Sequence, residues 1–163
     1  MEPTSPQASA MKAPKYLVCV DGREESRAAL RLGCLKAKAR NGTVDILHVI
    51  APADFQTLGA IADRMREERK KEGELLLKNL SDEATLAYGI TPTPILHEGP
   101  TGDEIIAAAL ADHDVIMVVI GIAQGSGRGT LATWLAGQLG SKLFIPLLMV
   151  PGNLTDQQLQ SLI

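Results

Sequence analysis

VIMVVI, at residues 115–120, is a continuous run of apolar side chains that leads into the glycine-rich stretch GIAQGSGRG at 121–129. A strand with no polar side is typical of the middle of a parallel sheet, where helices cover both faces. Helical spacing follows at 130–143, and a last apolar run at 145–150 ends at Pro-Gly. This stretch therefore predicts a central strand, a crossover helix and a neighbouring parallel strand.

The same alternation extends toward the N-terminus. Apolar runs at 15–21, 43–49 and 91–97 are separated by segments of helical spacing at 24–40 and 51–88. The two prolines in the run at 91–97 favour the edge of the sheet, because proline has no backbone N–H to donate to a neighbouring strand. Strands that alternate with helices predict an α/β fold with a parallel sheet and right-handed crossovers.

The remaining helix is predicted to start at a capping box, with Thr101 at the N-cap and Glu104 three residues later. We expect a flexible arm at 1–14, rich in Pro, Ser and Ala, then one domain at 15–151. A tail or short helix, capped near Thr155, is expected at 152–163.

The composition excludes several classes of function. Of 163 residues, 45% are hydrophobic and only 3% aromatic, and the formal net charge is -3. Net negative charge argues against a nucleic-acid backbone as partner, and scarce aromatics argue against base stacking. No stretch is long and apolar enough for a bilayer, and residues 1–14 lack the apolar run of a signal peptide. We therefore expect a cytoplasmic protein with no nucleic-acid or membrane partner.

The cysteines and histidines predict no catalytic or metal residue. Cys19 and Cys34 are expected to be reduced, although nearby basic side chains on a helical projection would lower the pKa of Cys34. The three histidines lie in unrelated elements, which disfavours both a zinc site and a Ser-His-Asp triad. His48, near the end of a buried strand, is interpreted as a core histidine with its hydrogen bonds satisfied.

A ligand site is predicted where the strand order reverses, beyond the carboxyl ends of the strands. If the first and fourth strands are neighbours there, Asp21 and Gly22 face the stretch that follows the fourth strand. That stretch carries glycines, hydroxyls and a positive charge directly before a helix, where free N–H groups favour an anion. These residues are Gly121, Gly125, Ser126, Gly127, Arg128, Gly129 and Thr130. A plain mobile loop would have the same composition, and no Walker A lysine is present.

Three segments, in this order and spacing, resemble the universal stress protein family across residues 15–151. They are YLVCVDGREESRAAL at 16–30, ILHVI at 46–50, and HEGPTGDEIIAAA at 97–109 followed by DVIMVVIG at 114–121. The resemblance implies a three-layer α/β/α fold of the Rossmann-like or flavodoxin-like kind. Its five-stranded parallel sheet would have the order 3-2-1-4-5, and the last strand would form a homodimer.

The resemblance also implies a stress-response or signalling regulator that binds ATP or AMP, with or without Mg²⁺, rather than an enzyme. By position, Asp21 and Gly22 would contact the nucleoside. Val49 would meet the adenine through its backbone, and the phosphates would lie on residues 121–130.

The sequence departs from the family's ATP-binding pattern, G-x2-G-x9-G-[S/T], which has no register here. If the loop lost residues and the helix gained one turn, Gly129-Thr130 would take the place of the Gly-Ser pair. Asp21, three residues before Glu24, would also suit a capping box without any ligand. Three readings therefore stay open: an adenine-nucleotide sensor, a dimeric module that acts through an unknown protein partner, and a weak ATPase.

Overall fold

The computed structural model describes residues 12–52, 59–123, 130–142 and 145–163. Within these ranges, strands and helices alternate as the sequence predicts. In chain order they are β1 (Lys15–Cys19), α1 (Glu24–Ala39), β2 (Thr43–Ile50), α2 (Ala60–Tyr88), β3 (Thr93–Glu98), α3 (Thr101–Ala111), β4 (Val115–Ile122), α4 (Thr130–Lys142), β5 (Leu147–Pro151) and α5 (Asp156–Gln160).

The strands form one parallel sheet in the order β3-β2-β1-β4-β5. This confirms the predicted fold class and strand order. It places β3, with its prolines, at one edge and β4 inside the sheet, as expected. The strand order reverses between β1 and β4. After β1 the chain adds β2 and β3 on one side of it, and then crosses over to add β4 and β5 on the other side.

Side chains alternate between the two faces of the sheet and form a separate apolar core on each face. Val18 and Leu17, neighbours on β1, are both fully buried but point to opposite faces. One face packs against α1, α2 and α5, and its core includes Tyr16, Val18, Ile46, Leu32, Leu80 and Leu159. The other packs against α3 and α4, and includes Leu17, Leu47, Val118, Ile105 and Leu135. The molecule is therefore a three-layer α/β/α sandwich.

The predicted capping box at the start of α3 is wrong. Pro100 occupies the N-cap, and Thr101 is already the first helical residue. Glu104 instead accepts from the His97 ring on β3, with 3.0 Å between Oε2 and Nδ1. The chain enters the helix through Gly99 and Pro100, and the proline has extended backbone angles that suit an N-cap without a side-chain bond.

The predicted lowering of the Cys34 pKa is also wrong. Cys34 is fully buried in α1, and this burial raises the pKa of its thiol to about 12. The basic side chains that share its helix point outward, where Arg27 pairs with Glu83 of α2 and Arg31 with Asp156 of α5. The pKa of the Cys19 thiol is raised by burial to about 12 as well.

Thr155 is the N-cap of the C-terminal helix α5, as predicted. Its capping box is complete: the Thr155 hydroxyl accepts from the Gln158 backbone N–H, and the Gln158 side chain accepts from that of Thr155. Leu159 is fully buried against the α1 layer. Among the helices of the described ranges, none combines the length and the apolar character needed to cross a bilayer.

Candidate functional site

A cavity of about 260 Å³ opens where β1 and β4 end side by side, and we name it the β1/β4 crevice. The first and fourth strands therefore open into one hollow, as a ligand site at the reversal point requires. The described residues that line it are Cys19, Val20, Asp21, Arg23, Glu25, Ser26, Leu47, Val49, Thr101, Ile120, Gly121 and Leu131.

Asp21 lies in a tight turn that its own side chain stabilises. Its Oδ1 accepts from the Arg23 backbone N–H at 2.9 Å, and its backbone N–H donates to the Ser26 hydroxyl at 3.2 Å. Gly22 has φ +82°, which only glycine adopts without strain. Arg23, not Asp21, is the N-cap of α1, so the alternative of Asp21 as a helix cap is wrong.

The second carboxylate oxygen of Asp21 is the one that a ligand in the crevice can reach. The side chain is 51% exposed, and among the described residues its Oδ2 has one ion-pair partner, the Arg23 guanidinium, with 3.8 Å to Nε. Asp21 thus combines a structural role through one oxygen with a free acceptor directed to solvent. The sequence alone left these two roles as alternatives.

Gly121 allows β4 and the start of α1 to approach closely. A Cβ at this position would overlap the Glu25 carbonyl and lie 2.7 Å from the Ser26 backbone nitrogen. Gly121 lines the crevice, and its lack of a side chain allows the close packing of two backbones. A contact between residues this far apart in sequence leaves no local signal.

Val49 brings to the crevice a backbone N–H and C=O that have no backbone partner on the β1 side among the described residues. The β1–β2 ladder ends at Cys19 beside Leu47, and the Leu47 carbonyl accepts from the Val20 N–H at 2.8 Å. Backbone groups alternate along a strand, so those of Val49, two residues on, point the same way as those of Leu47. There β1 has already ended, and the N–H and C=O of Val49 therefore face the crevice.

The side chains beside Val49 form an apolar slot from both sides of the reversal point. Leu47 and Val49 come from β2, Ile120 from β4 and Leu131 from the first turn of α4. The α4 wall is held against α3 by Trp134, whose ring lies where a side chain at Gly102 would be. The slot offers a flat ring an apolar surface next to a hydrogen-bonding backbone edge.

The anion end of the predicted site is only partly described. Gly125, Ser126, Gly127, Arg128 and Gly129 lie outside the described residues. Thr130 is the first residue of α4, and the presence of Leu131 in the wall brings the N-terminus of this helix to the crevice.

Sequence reasoning missed several residues of the wall. Thr101 had been assigned to a cap, Ser26 supports the Asp21 turn, and Glu25 was not distinguished from other acidic residues of α1. The described wall carries the charges of Asp21, Glu25 and Arg23, two negative and one positive. In composition, it suits an uncharged ring and hydroxyl groups better than a polyanion.

The chain is similar over nearly its whole length to known proteins of one family. The model of the universal stress protein family matches residues 14–151. Universal stress protein YxiE of Bacillus subtilis (strain 168) is 30% identical over 122 residues, which cover 69% of this chain and 81% of the relative.

Solved structures share the fold at lower identity. Universal stress protein UspA from Lactobacillus plantarum has a TM-score of 0.70 and 12% identity, over 85% of this chain and 97% of that one. A universal stress protein family member from Arabidopsis thaliana with AMP bound has a TM-score of 0.58 and 18% identity, over 85% and 91%. The match of the family model across residues 14–151 shows that the chain belongs to the universal stress protein family.

Proposed function

We propose that this protein is a stress-response regulator that binds an adenine nucleotide, AMP or ATP, in the β1/β4 crevice. The observation that carries the proposal is the free backbone edge of Val49, which lies beside an apolar slot and the open oxygen of Asp21. The nucleotide acts as a signal, and no catalytic residue is assigned.

The base is the part of the ligand that the described wall favours most. Adenine carries an amino donor next to a ring-nitrogen acceptor. A strand edge that offers one C=O and one N–H complements that pair, while Leu47, Ile120 and Leu131 cover the ring faces. Guanine has an acceptor where adenine has the amino group, so the same edge disfavours it.

The ribose and the phosphates extend from that base. Asp21 accepts hydrogen bonds from ribose hydroxyls. An acidic residue has the same role in folds that bind dinucleotides. The phosphates would lie at the start of α4, with Gly121, Gly125, Ser126, Gly127, Arg128, Gly129 and Thr130 as their proposed surroundings. The AMP-bound Arabidopsis relative, which shares the fold, supports an adenine nucleotide as the ligand class.

The test is calorimetric titration with AMP, ATP, adenosine and GMP, with and without Mg²⁺. We expect AMP and ATP to bind and GMP to bind far more weakly. Asp21→Asn keeps an acceptor for the Arg23 N–H but loses the charge, and should weaken AMP about tenfold, as for loss of a hydrogen bond to a charged group. Asp63→Asn, an exposed acid in the first turn of α2, is the matched control.

Absence of heat with all four ligands, together with no nucleotide released from freshly purified protein, would reject the proposal. The protein would then act as a dimeric interaction module through protein partners. Phosphate release from ATP that Asp21→Asn abolishes would instead indicate an ATPase.

We also propose that the protein is a cytoplasmic homodimer joined through β5. This strand ends the described sheet, with β4 as its neighbour on one side. Met149 at its centre is 47% exposed, and an exposed edge with an apolar side chain favours pairing with a second copy. The dimer would serve either the nucleotide sensor or the interaction module.

A further inference from the structure

A second cavity, of about 340 Å³, lies beneath α2 on the other face of the sheet from the α3–α4 wall, and we name it the α2 cavity. Its volume is at the lower end of the range for small-molecule pockets, about 300–1,000 Å³. It is lined by Asp21, His48, Val49, Ile50, Ala51, Arg69, Glu72, Gly73 and Leu76. Asp21 and Val49 also line the β1/β4 crevice, so the two hollows are adjacent.

The His48 ring presents a fixed acceptor to the α2 cavity. Its Nδ1 lies 2.8 Å from the Val20 carbonyl oxygen. A carbonyl only accepts, so Nδ1 carries the proton, and in the neutral ring Nε2 has the free lone pair. Gly73 of α2 packs on the ring, since a Cβ there would lie 3.1 Å from Cδ2 and 3.7 Å from Nε2. Among the described residues, no hydrogen-bond partner engages Nε2.

Arg69 and Glu72 bring opposite charges to the same cavity without pairing. They are three residues apart on α2, a spacing that allows an ion pair on one helix face. The structure nevertheless joins neither of them to an ion-pair partner within the described ranges, whereas nearby Arg66 bonds Glu98 at 3.0 Å. Arg69 is moreover only partly exposed. Two separated, opposite charges facing one hollow suit a ligand that carries both charges itself.

We propose that the α2 cavity binds a small zwitterion of the α-amino-acid class. Arg69 receives the carboxylate, for which a guanidinium offers two parallel N–H donors. Glu72 and the Nε2 atom of His48 accept from the ammonium group. Ile50 and Leu76 provide an aliphatic surface for the side chain of the ligand, which favours leucine or a residue like it.

Other ligand classes fit these residues less well. A phosphate would meet Arg69 but also the carboxylates of Asp21 and Glu72, and a simple cation would meet Arg69. Within the described residues, no three His, Cys, Asp or Glu side chains are arranged to hold a metal ion. The zwitterion is the class that uses both charges, and the inference does not depend on nucleotide binding in the crevice.

The test is a titration of ¹⁵N-labelled protein with L-leucine, followed by amide chemical shifts. We expect saturable shifts centred on His48 and Gly73. Leucine amide lacks the carboxylate and 4-methylpentanoate lacks the ammonium group, and each should bind at least about tenfold more weakly, as for loss of one hydrogen bond to a charged group. The other common L-amino acids serve to rank the side chain.

Arg69→Gln and Glu72→Gln should each reduce the affinity for leucine by a similar factor. Lys70→Gln, on the exposed face next to Arg69, is the matched control and should leave it unchanged. All three side chains are at least partly exposed on α2, and thermal unfolding would establish that each variant is folded.

Several results would overturn the inference. They are the absence of shifts with every common amino acid at millimolar concentration, equal binding of the one-charge analogues, and unchanged affinity in both charge variants. Shifts centred on Thr101 and Gly121 would place the amino acid in the β1/β4 crevice instead, and would also reject the proposal.

Discussion

At the scale of single residues, a substitution of Gly121 should be strongly destabilising, because the nearest atoms belong to the backbone of Glu25 and cannot rotate away. A methyl group there would overlap the Glu25 carbonyl, so Gly121→Ala must displace the start of α1. We expect a loss of about 3 kcal/mol in the free energy of unfolding, at the upper end of overpacking costs, measured by urea denaturation.

Gly137→Ala is the matched control for this substitution. Gly137 lies within α4, and a Cβ there would meet nothing within 4 Å. Because alanine is favoured over glycine inside a helix, the control should gain up to about 1 kcal/mol. Equal stability of the two variants would show that β4 and α1 do not approach as described.

Asp112 and Lys15 predict a pH-dependent contribution to stability. Lys15 Nζ lies 2.6 Å from Asp112 Oδ2, and this hydrogen bond holds the pKa of Asp112 below its ordinary 3.8. A lowered carboxyl pKa stabilises the fold above the ordinary value, and that stability is lost as pH falls through the lowered pKa. The same bond raises the pKa of Lys15 above 10.5, so its contribution is present below that value and lost as pH rises past the raised one.

The expected result is that Asp112→Asn lowers the free energy of unfolding by about 0.5–1 kcal/mol near neutral pH, since the pair is partly exposed. The difference from the unmodified protein should vanish in acid, below the lowered pKa of Asp112. Asp114→Asn is the control, because Asp114 pairs with Lys12, whose side chain is 77% exposed. A gap that persists in acid would contradict the assignment. Urea unfolding across pH measures all three proteins.

Local residue patterns predicted where a residue lies along the chain and in the sheet, but they missed the contacts that depend on the folded backbone and on burial. Asp21 was correctly placed at the reversal point, because a parallel sheet puts such a residue at its carboxyl edge. The actual hydrogen bonds of Asp21, to Arg23 and Ser26, depend on the Gly22 turn. Cys34 was misjudged because a helical projection shows nearby charges but not that the helix side carrying the thiol is buried.

At the scale of elements, we expect the C-terminal helix α5 to contribute to the stability of the fold. Leu159 is fully buried, whereas Leu162 is 49% exposed. Leu159→Ala should cost about 3 kcal/mol, as for other large-to-small core changes. Leu162→Ala should stay within about 0.5 kcal/mol of the unmodified protein. Thermal denaturation of both variants would measure this, and equal melting temperatures would mean that α5 does not pack on α1.

Element types were predictable from the sequence, while element ends depended on their surroundings. The apolar runs fixed five strands, yet β5 begins at Leu147 rather than at residue 145, after Pro146, which cannot donate to a ladder. β2 extends to Ile50, one residue past its predicted end, because β3 continues alongside it to Glu98. β1 ends at Cys19, beside Leu47, two residues before its predicted end, and this earlier end leaves the backbone of Val49 beyond β1.

At the scale of the whole molecule, the position of the site follows from topology and its contents do not. The alternation of strands and helices, with the resemblance to universal stress proteins, was sufficient to place a hollow between β1 and β4. The α2 cavity was not anticipated. It depends on Arg69 and Glu72 of α2 and on the passage of this helix over His48, and contacts of this kind leave no local signal in the sequence.

Two molecules of this protein are expected to assemble through β5. We expect sedimentation equilibrium to give a dimer, because β5 forms an edge of the described sheet and carries the exposed apolar side chain of Met149. Met149→Lys puts a charge on this edge, which natural sheets use to prevent pairing, and should shift the protein toward monomer. Leu86→Lys, at a position 90% exposed on α2, is the control and should leave the dimer intact. If the protein is a monomer at all concentrations, or if the Met149→Lys variant dimerises as tightly as the unmodified protein, β5 is not the interface. Neither result would decide whether the protein binds a nucleotide, which the titration tests separately.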